Sequence, residues 1–247
     1  MRLHRIYSAA AITPDSDMDL TPDAARHVAQ VLRLRANDQL ILFDGSGTEY
    51  DCTLTGVVRS RASVNVGKSR SPNTESPIDI TLWHGLCRGT RMDTVVQKAT
   101  ELGAKRIQPM VTSRSVVKLD AGRAAKRLEH WQKVAISAAE QSGRCVIPEV
   151  LHPVKFTELL SKFTGSGTKI IFDPGGMKPL IGLVQEEKSI VLCTGPEGGF
   201  TEDELQLAES VGFNKVAMGP RILRTETAPV VALSLTQHIA GDLRLAD

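Results

Sequence analysis

Two short segments of this 247-residue chain hold residue types that can do chemistry. Thr194-Gly195-Pro196-Glu197-Gly198-Gly199-Phe200 follows directly on the apolar run 190–193. In an open α/β sheet, ligands bind beyond the carboxyl ends of the strands, and three glycines there let backbone N–H and C=O groups approach a ligand with no Cβ in the way. The same composition suits a plain tight turn before a capped helix, and it is not the GxGxxG dinucleotide pattern. The second segment, Met218-Gly219-Pro220-Arg221-Ile222-Leu223-Arg224-Thr225-Glu226-Thr227-Ala228-Pro229, lies between a strand-like run and an expected helix. Thr225 or Thr227 suits the cap of that helix, Glu226 its positive end and Pro229 its first turn. Those duties leave Arg221 and Arg224, framing Ile222 and Leu223, unexplained. Two such loops at neighbouring strand ends make a cleft suited to an adenosine-like ligand, with apolar walls, backbone groups for the base edge and fixed donors for a carboxylate.

The elements that must carry these loops are legible as alternating strands and helices. Strand-like runs cover residues 78–87, 106–111, 169–172, 190–193 and 216–218, and helical periods cover 93–102, about 123–142 and 229 onward. Thr201 and Glu204 form a capping box for a helix containing Leu205 and Leu207. Strand and helix alternation predicts a mostly parallel sheet covered on both faces. Residues 67–77, GKSRSPNTESP, read as a linker. Ahead of it, Thr21-Pro22-Asp23 opens a short helix with Val28, Val31 and Leu32 as its apolar stripe. Strands at 39–43, 50–58 and 63–66, with the turn at 44–47, add a small β-barrel. The expected division is a barrel over 1–70, a linker over 71–77 and an α/β domain over 78–247.

Composition narrows the function. Aromatic residues are 4% of the chain, which argues against RNA binding mainly by stacking. The net charge of +2, taken whole, points to no nucleic-acid partner. Its distribution says otherwise: residues 1–70 carry +1, 71–150 carry +4 and 151–247 carry −3, and between Arg88 and Arg127 there are 10 basic and 3 acidic side chains. Such a run is commonly a solvated helix face, but Arg114, Lys118, Arg123, Lys126 and Arg127 gather around a loop and a helix start, as a phosphate-tracking patch does. The four cysteines and six histidines are scattered, without metal-ligand spacing or a redox pair, so no metal is expected. No apolar run has the length of a membrane span, and the opening residues lack a signal-peptide core, so a cytoplasmic location is expected.

The GPEGGF and MGPRILRTETA segments resemble the bacterial 16S ribosomal RNA (uracil-N3)-methyltransferases of the SPOUT superfamily. Further blocks fall in the same order: His4-Arg5-Ile6-Tyr7, His27 with Val31-Leu32-Arg33, Asp44-Gly45 and Tyr50, residues 97–103 (QKATELG), Arg114-Ser115-Val116 and residues 138–144 (AAEQSGR). The resemblance implies a small PUA-like β-barrel followed by a SPOUT α/β domain with a C-terminal trefoil knot. It implies S-adenosylmethionine as methyl donor, held by Leu192, Thr194, Gly195, Glu197, Gly198, Met218, Gly219, Ile222, Leu223, Arg224, Thr227 and Ala228. It also implies a homodimer, with an apolar surface on the last helix (Val230, Val231, Leu233, Leu235, Ile239), and a uridine in the decoding region of the small ribosomal subunit as target.

Uracil N3 is protonated at neutral pH, so methylation requires loss of that proton and stabilisation of charge on O2 or O4. Arg224, backed by Arg221, is the candidate stabilising cation, and Glu197 and Glu226 are candidate bases, with solvent as the alternative acceptor. Arg2, His4, Arg5, Arg33, Arg88, Arg91, Arg114, Lys118, Arg123 and Arg127 are the candidate RNA contacts. Since N3 lies on the Watson–Crick edge, the target must be unpaired or flipped. Rival readings are a SPOUT enzyme acting on another base or a ribose 2′-hydroxyl, a non-catalytic RNA-binding assembly factor, and a nicotinamide-dependent oxidoreductase, which the missing GxGxxG turn disfavours.

Overall fold

The computed structural model describes residues 3–58, 61–117 and 121–243, with Ala121 in its backbone alone. The chain divides into two compact units. One comprises the residues up to Glu75 together with Ile136–Ile147, the other Ser76–Ala135 and the residues from Pro148 onward.

The first unit contains strands β1 (His4–Tyr7), β2 (Ser16–Asp19), β3 (Gln39–Phe43), β4 (Glu49–Val58) and β5 (Arg61–Arg70). They form one sheet in the order β1-β3-β4-β5-β2, parallel between β1 and β3 and antiparallel elsewhere. Inward residues Leu40, Leu42, Leu54, Val64 and Val66 meet Ala25 and Val28 in one core. These last two come from α1 (Pro22–Arg26) and the π-helical turn that continues it, His27–Val31. Thr21 caps α1 by accepting from the Ala24 N–H at 3.4 Å. The expected apolar stripe of this helix is only partly inside: Val28 is buried and Leu32 packs on the core, but Val31 is 66% exposed. The π turn is the reason, because it rotates later side chains off the 3.6-residue face. The first four residues of the expected linker are strand, with Ser69 and Arg70 paired to Tyr50 and Glu49. Their polar side chains hide that pairing from any hydrophobic period.

A buried ion cluster sits in this unit. The Arg5 guanidinium pairs with Glu49, their side chains 7% and 5% exposed, and Arg70 Nε donates to the same carboxylate at 2.5 Å. Arg5 also donates to the Arg144 carbonyl at 3.1 Å. Burial alone raises the Glu49 pKa, but hydrogen bonds from Arg5 and Arg70 outweigh it and hold it below the ordinary value. Glu49 therefore stabilises the fold above the unfolded carboxylate pKa, and that contribution is lost as pH falls through the lower folded value. Removing one partner of a buried pair costs about 3–5 kcal/mol, whereas replacing both with apolar residues is close to neutral. Glu49→Leu is expected to lower stability in urea by that amount, and the double variant Arg5→Met/Glu49→Leu to recover most of it.

The second unit alternates strands and helices: β6 (Asp79–Gly85), α2 (Arg91–Glu101), β7 (Arg106–Val111), α3 (Ala121–Ser142, its residues through Ala135 in this unit), β8 (Glu149–Val150), β9 (Val154–Lys155) and α4 (Phe156–Lys162). There follow β10 (Thr168–Phe172), α5 (Ile181–Val184), β11 (Ser189–Thr194), α6 (Glu202–Ser210), β12 (Phe213–Val216) and α7 (Thr227–Ala240). The sheet runs β12-β10-β11-β6-β7-β8, with β9 also on β7, and every pairing is parallel. Strands buried on both faces need continuous apolar runs, and Ile190–Cys193 of β11 are all buried. The last strand starts three residues earlier than expected: Phe213 and Val216 are buried in β12, while Ala217 and Met218 have already left the sheet. Buried Gln237 of α7 donates to the Leu102 carbonyl at 2.8 Å and accepts from the Ser76 hydroxyl at 2.9 Å. All four cysteines are buried free thiols; burial pushes Cys52 up to about 11 and Cys87 to about 12. Among the described residues no helix is long and apolar enough to cross a membrane.

Candidate active site

The loops beyond the carboxyl ends of β6, β7, β10, β11 and β12 meet around one cavity of about 770 Å³. That size is in the range of small-molecule sites, about 300–1,000 Å³. Of the residues expected to hold a donor, Gly195, Glu197, Gly198, Met218, Gly219, Ile222, Leu223, Arg224 and Ala228 line it. Leu192 and Thr194 do not; they are buried within β11, behind the loop. Thr227 is exposed in the first turn of α7, its N–H donating to the Arg224 carbonyl at 2.9 Å.

The two glycine-bearing loops are not on adjacent strands, as the sequence suggested, because β10 lies between β11 and β12. Its own end loop joins the wall through Phe172, Asp173 and Pro174. Nothing flagged these residues in the sequence, although the rule that pointed to the other loops applies equally to an apolar strand followed by DPGG.

Close backbone approach shapes the site. A Cβ on Gly85 would lie 2.4 Å from the Pro196 nitrogen, and one on Gly195 would lie 3.2 Å from Gly199 Cα. Gly198 meets Arg114 in the same way, at 2.8 Å from its Cβ, and Arg114 Nη1 donates to the Gly198 carbonyl at 3.1 Å. Thr225 is not a helix cap: Glu226 occupies the cap position of α7 without a side-chain cap bond, and the Thr225 hydroxyl donates to the Gly195 carbonyl at 3.2 Å. The Thr201–Glu204 capping box is present at α6, and the Glu204 carboxylate also accepts from the Ser113 N–H at 2.7 Å.

Charge is concentrated at one wall. Arg91 Nη1 lies 2.6 Å from Glu197 Oε1 and its Nε 3.8 Å from Glu226 Oε2, while the Arg88 N–H donates to Glu197 Oε1 at 3.1 Å. Arg91 is half exposed, so the pair adds at most about 1 kcal/mol to stability; its effect is to fix where the carboxylates sit. Burial raises the Glu197 pKa, but the bonds from Arg88 and Arg91 outweigh it and leave it below the ordinary carboxylate value. Glu197 is thus a held anion and a weak proton acceptor. Among the described residues Glu226 pairs with Arg91 alone, through the longer contact. Arg224 is exposed on the cavity wall, and no ion pair is formed by it among the described residues. Arg221 lines the same wall.

The expected RNA contacts separate into groups. Arg91 and Arg114 belong to the cavity wall. Arg5 is inside the first unit on Glu49, so it is not a surface phosphate contact. His4, Arg33, Arg88 and Arg123 are exposed and Arg127 half-buried. Arg2 and Lys118 lie outside the described residues. Among those described, no group of three or more His, Cys, Asp or Glu side chains is placed to hold a metal ion.

Behind the wall, the fully buried His84 at the end of β6 bonds Thr194 Oγ1 through Nδ1 at 2.8 Å, and its Nε2 has no partner among the described residues. Burial lowers its pKa from 6.5 to about 4, against the opposing pull of the Glu197 charge. Between about pH 6.5 and 4 the unfolded chain binds a proton that the folded chain refuses, so stability declines as pH drops through that window. His84→Gln is expected to flatten the fall in melting temperature between those two pH values relative to the wild type.

A parallel sheet whose strand ends enclose a ligand-sized cavity, joined to a small β unit, is the architecture of a two-part α/β enzyme. The RNA methyltransferase domain model matches residues 74–237, and the RNA methyltransferase PUA domain model matches residues 20–66. The chain belongs to the RNA methyltransferase family that these models describe. Its relatives include ribosomal RNA small subunit methyltransferase E of Bacillus subtilis, 35% identical over 90% of this chain and 92% of the relative. Among solved structures, ribosomal RNA small subunit methyltransferase E from Neisseria gonorrhoeae, bound to S-adenosyl methionine, is 39% identical with a TM-score of 0.92, covering 98% of this chain and 100% of that one. A methyltransferase from Legionella pneumophila in complex with the bound cofactor SAM is 36% identical with a TM-score of 0.95, over the same shares of the two chains.

Proposed function

We propose that this protein transfers a methyl group from S-adenosylmethionine to N3 of a uridine in the decoding region of 16S rRNA, within the small ribosomal subunit. The observation that carries the reading is the cavity at the carboxyl ends of β10, β11 and β12, together with likeness over nearly the full chain to small-subunit rRNA methyltransferases. The residues fit the donor. Gly195 and Gly198 line the cavity with bare backbone, where neighbouring atoms leave little room for a Cβ on Gly195 and none on Gly198. Met218, Ile222 and Leu223 offer apolar walls for an adenine, and Arg221 and Arg224 offer donors for a carboxylate. Bound there, S-adenosylmethionine supplies a methyl already activated on sulfonium sulfur.

The protein's share of the reaction is alignment and proton management. The N3–CH₃ bond forms as the S–CH₃ bond breaks, the bonding pair returning to sulfur, and the N3 proton passes to a carboxylate. Glu226 is that acceptor, because Glu197 is already committed to Arg88 and Arg91. The Arg224 guanidinium stabilises charge developing on a uracil carbonyl oxygen. The second unit is the catalytic domain, with its C-terminal segments threaded as a trefoil knot, and the first is a PUA-like barrel that holds RNA. Two copies of the chain form the active dimer, using the apolar residues that α7 leaves half-buried or exposed, such as Val230 and Leu235. Assembled small subunits in the cytoplasm are the substrate. His4, Arg33, Arg123 and Arg127 contact phosphates.

N3-methyluridine cannot form its Watson–Crick pair, so reverse transcriptase stalls one nucleotide before it. Deleting the gene is expected to abolish a stall in the decoding region, and the intact protein to restore it. Arg224→Ala is expected to lower the methylation rate about 10²–10³-fold, the usual cost of losing one oxyanion donor. A stall unchanged in the deletion strain overturns the substrate assignment. Arg33→Ala is expected to weaken subunit binding uniformly and to reduce the slope of log K against log salt by about one, read by binding titrations over a salt series.

A further inference from the structure

We infer that a second cavity, adjoining the donor cavity, seats the target uracil, with the Arg91–Glu197 ion pair on the rim that the two share. This rests on the uracil-N3 reading above. The second cavity measures about 450 Å³ and is lined by Arg88, Gly89, Thr90, Arg91, Val116 and Glu197. Arg91 and Glu197 line both cavities.

Three observations carry the assignment. The first is contiguity. Reacting atoms must come within about 3–3.5 Å of each other, so the acceptor base needs a space whose rim adjoins the donor's. The second is chemistry. Uracil presents acceptor, donor and acceptor along O2, N3–H and O4, above and below which its faces are apolar. The cavity offers cationic donors on Arg88 and Arg91, a hydroxyl on Thr90, the Glu197 carboxylate, and in Val116 an apolar side chain 52% exposed to water. Cytosine carries an amino donor in place of O4, which faces the same arginines unfavourably. The third is room. Gly89 has φ +63°, and nothing lies within 4 Å of where its Cβ would be. The loop thus turns through the left-handed region with no side chain entering the space beside it.

A flipped base therefore rests on Val116, takes a hydrogen bond at one carbonyl oxygen from Thr90 or Arg88, and reaches past the ion pair so that N3 and the other carbonyl oxygen enter the donor cavity, where Glu226 and Arg224 stand. The low aromatic content of the chain fits a seat made from an aliphatic side chain and charged groups, without a stacking ring.

The test is Val116→Trp in the full-length protein, which fills the second cavity from an exposed position. Two quantities are measured: the Kd of S-adenosylmethionine by calorimetry, and methylation of assembled small subunits lacking the modification, with the product nucleoside identified. The expected result is a donor Kd within twofold of wild type and a methylation rate at least 100-fold lower. Thr90→Val is expected to lower the rate about tenfold with the donor Kd likewise unchanged. A Val116→Trp protein that methylates at the wild-type rate, or whose donor affinity falls in step with its rate, overturns the seat. Failure of the wild-type protein to bind S-adenosylmethionine, or methylation at an atom other than uracil N3, overturns the underlying reading instead.

Discussion

A Cβ on Gly85 would lie 2.4 Å from the backbone nitrogen of Pro196, and so tight an approach of two main chains leaves the loop after β11 no alternative path. That loop then closes on itself at Gly195 and Gly199, is gripped through the Gly198 carbonyl by Arg114, and accepts the Thr225 hydroxyl at the Gly195 carbonyl. Each contact comes from a different strand end. The rigidity of the cavity wall is therefore a property of the sheet, whose strands bring these ends together, and not of any single loop. Preorganised backbone dipoles need no rearrangement when a ligand arrives, and catalysis by alignment depends on that.

The charge of the site follows from the same geometry. Arg91 begins α2 and Arg114 follows β7, both within the basic stretch that reads in the sequence as a solvated helix face or a phosphate-tracking patch. The sheet order turns them instead onto the loop after β11, where Arg91 meets Glu197 and approaches Glu226. Glu197 becomes a fixed anion, and the two carboxylates near one guanidinium take different roles because one is held by two donors and the other by a single long contact. Behind them the neutral imidazole of His84 supports Thr194 without adding charge.

Much of this organisation was legible in the chain. The parallel sheet was visible in short apolar runs, and the α6 capping box and the strands at 39–43 and 106–111 stand where pattern and turn residues put them. Elements without a strong period were not: α5 spans only Ile181–Val184, β8 and β9 two residues each, and the end of β5 is polar on both faces. Thr225 and Thr227 both suit a cap by local chemistry, yet Glu226 holds that position and the partner of Thr225, the Gly195 carbonyl, is thirty residues away.

Sequence alone determined the segments that carry chemistry, since glycines after a buried strand and arginines around an apolar pair are local signals, as is the succession of strands and helices. It could not say that β10 separates β11 from β12 and adds a third loop to the wall, that Arg5 lies inside with Glu49, or that Arg91 and Arg114 face the cavity. Those outcomes depend on which strand ends become neighbours. Strand order is settled by long-range packing of the apolar faces, and the residues brought together, such as Arg91 with Glu197 and Arg5 with Glu49, carry no mark in the chain of the partner they will meet.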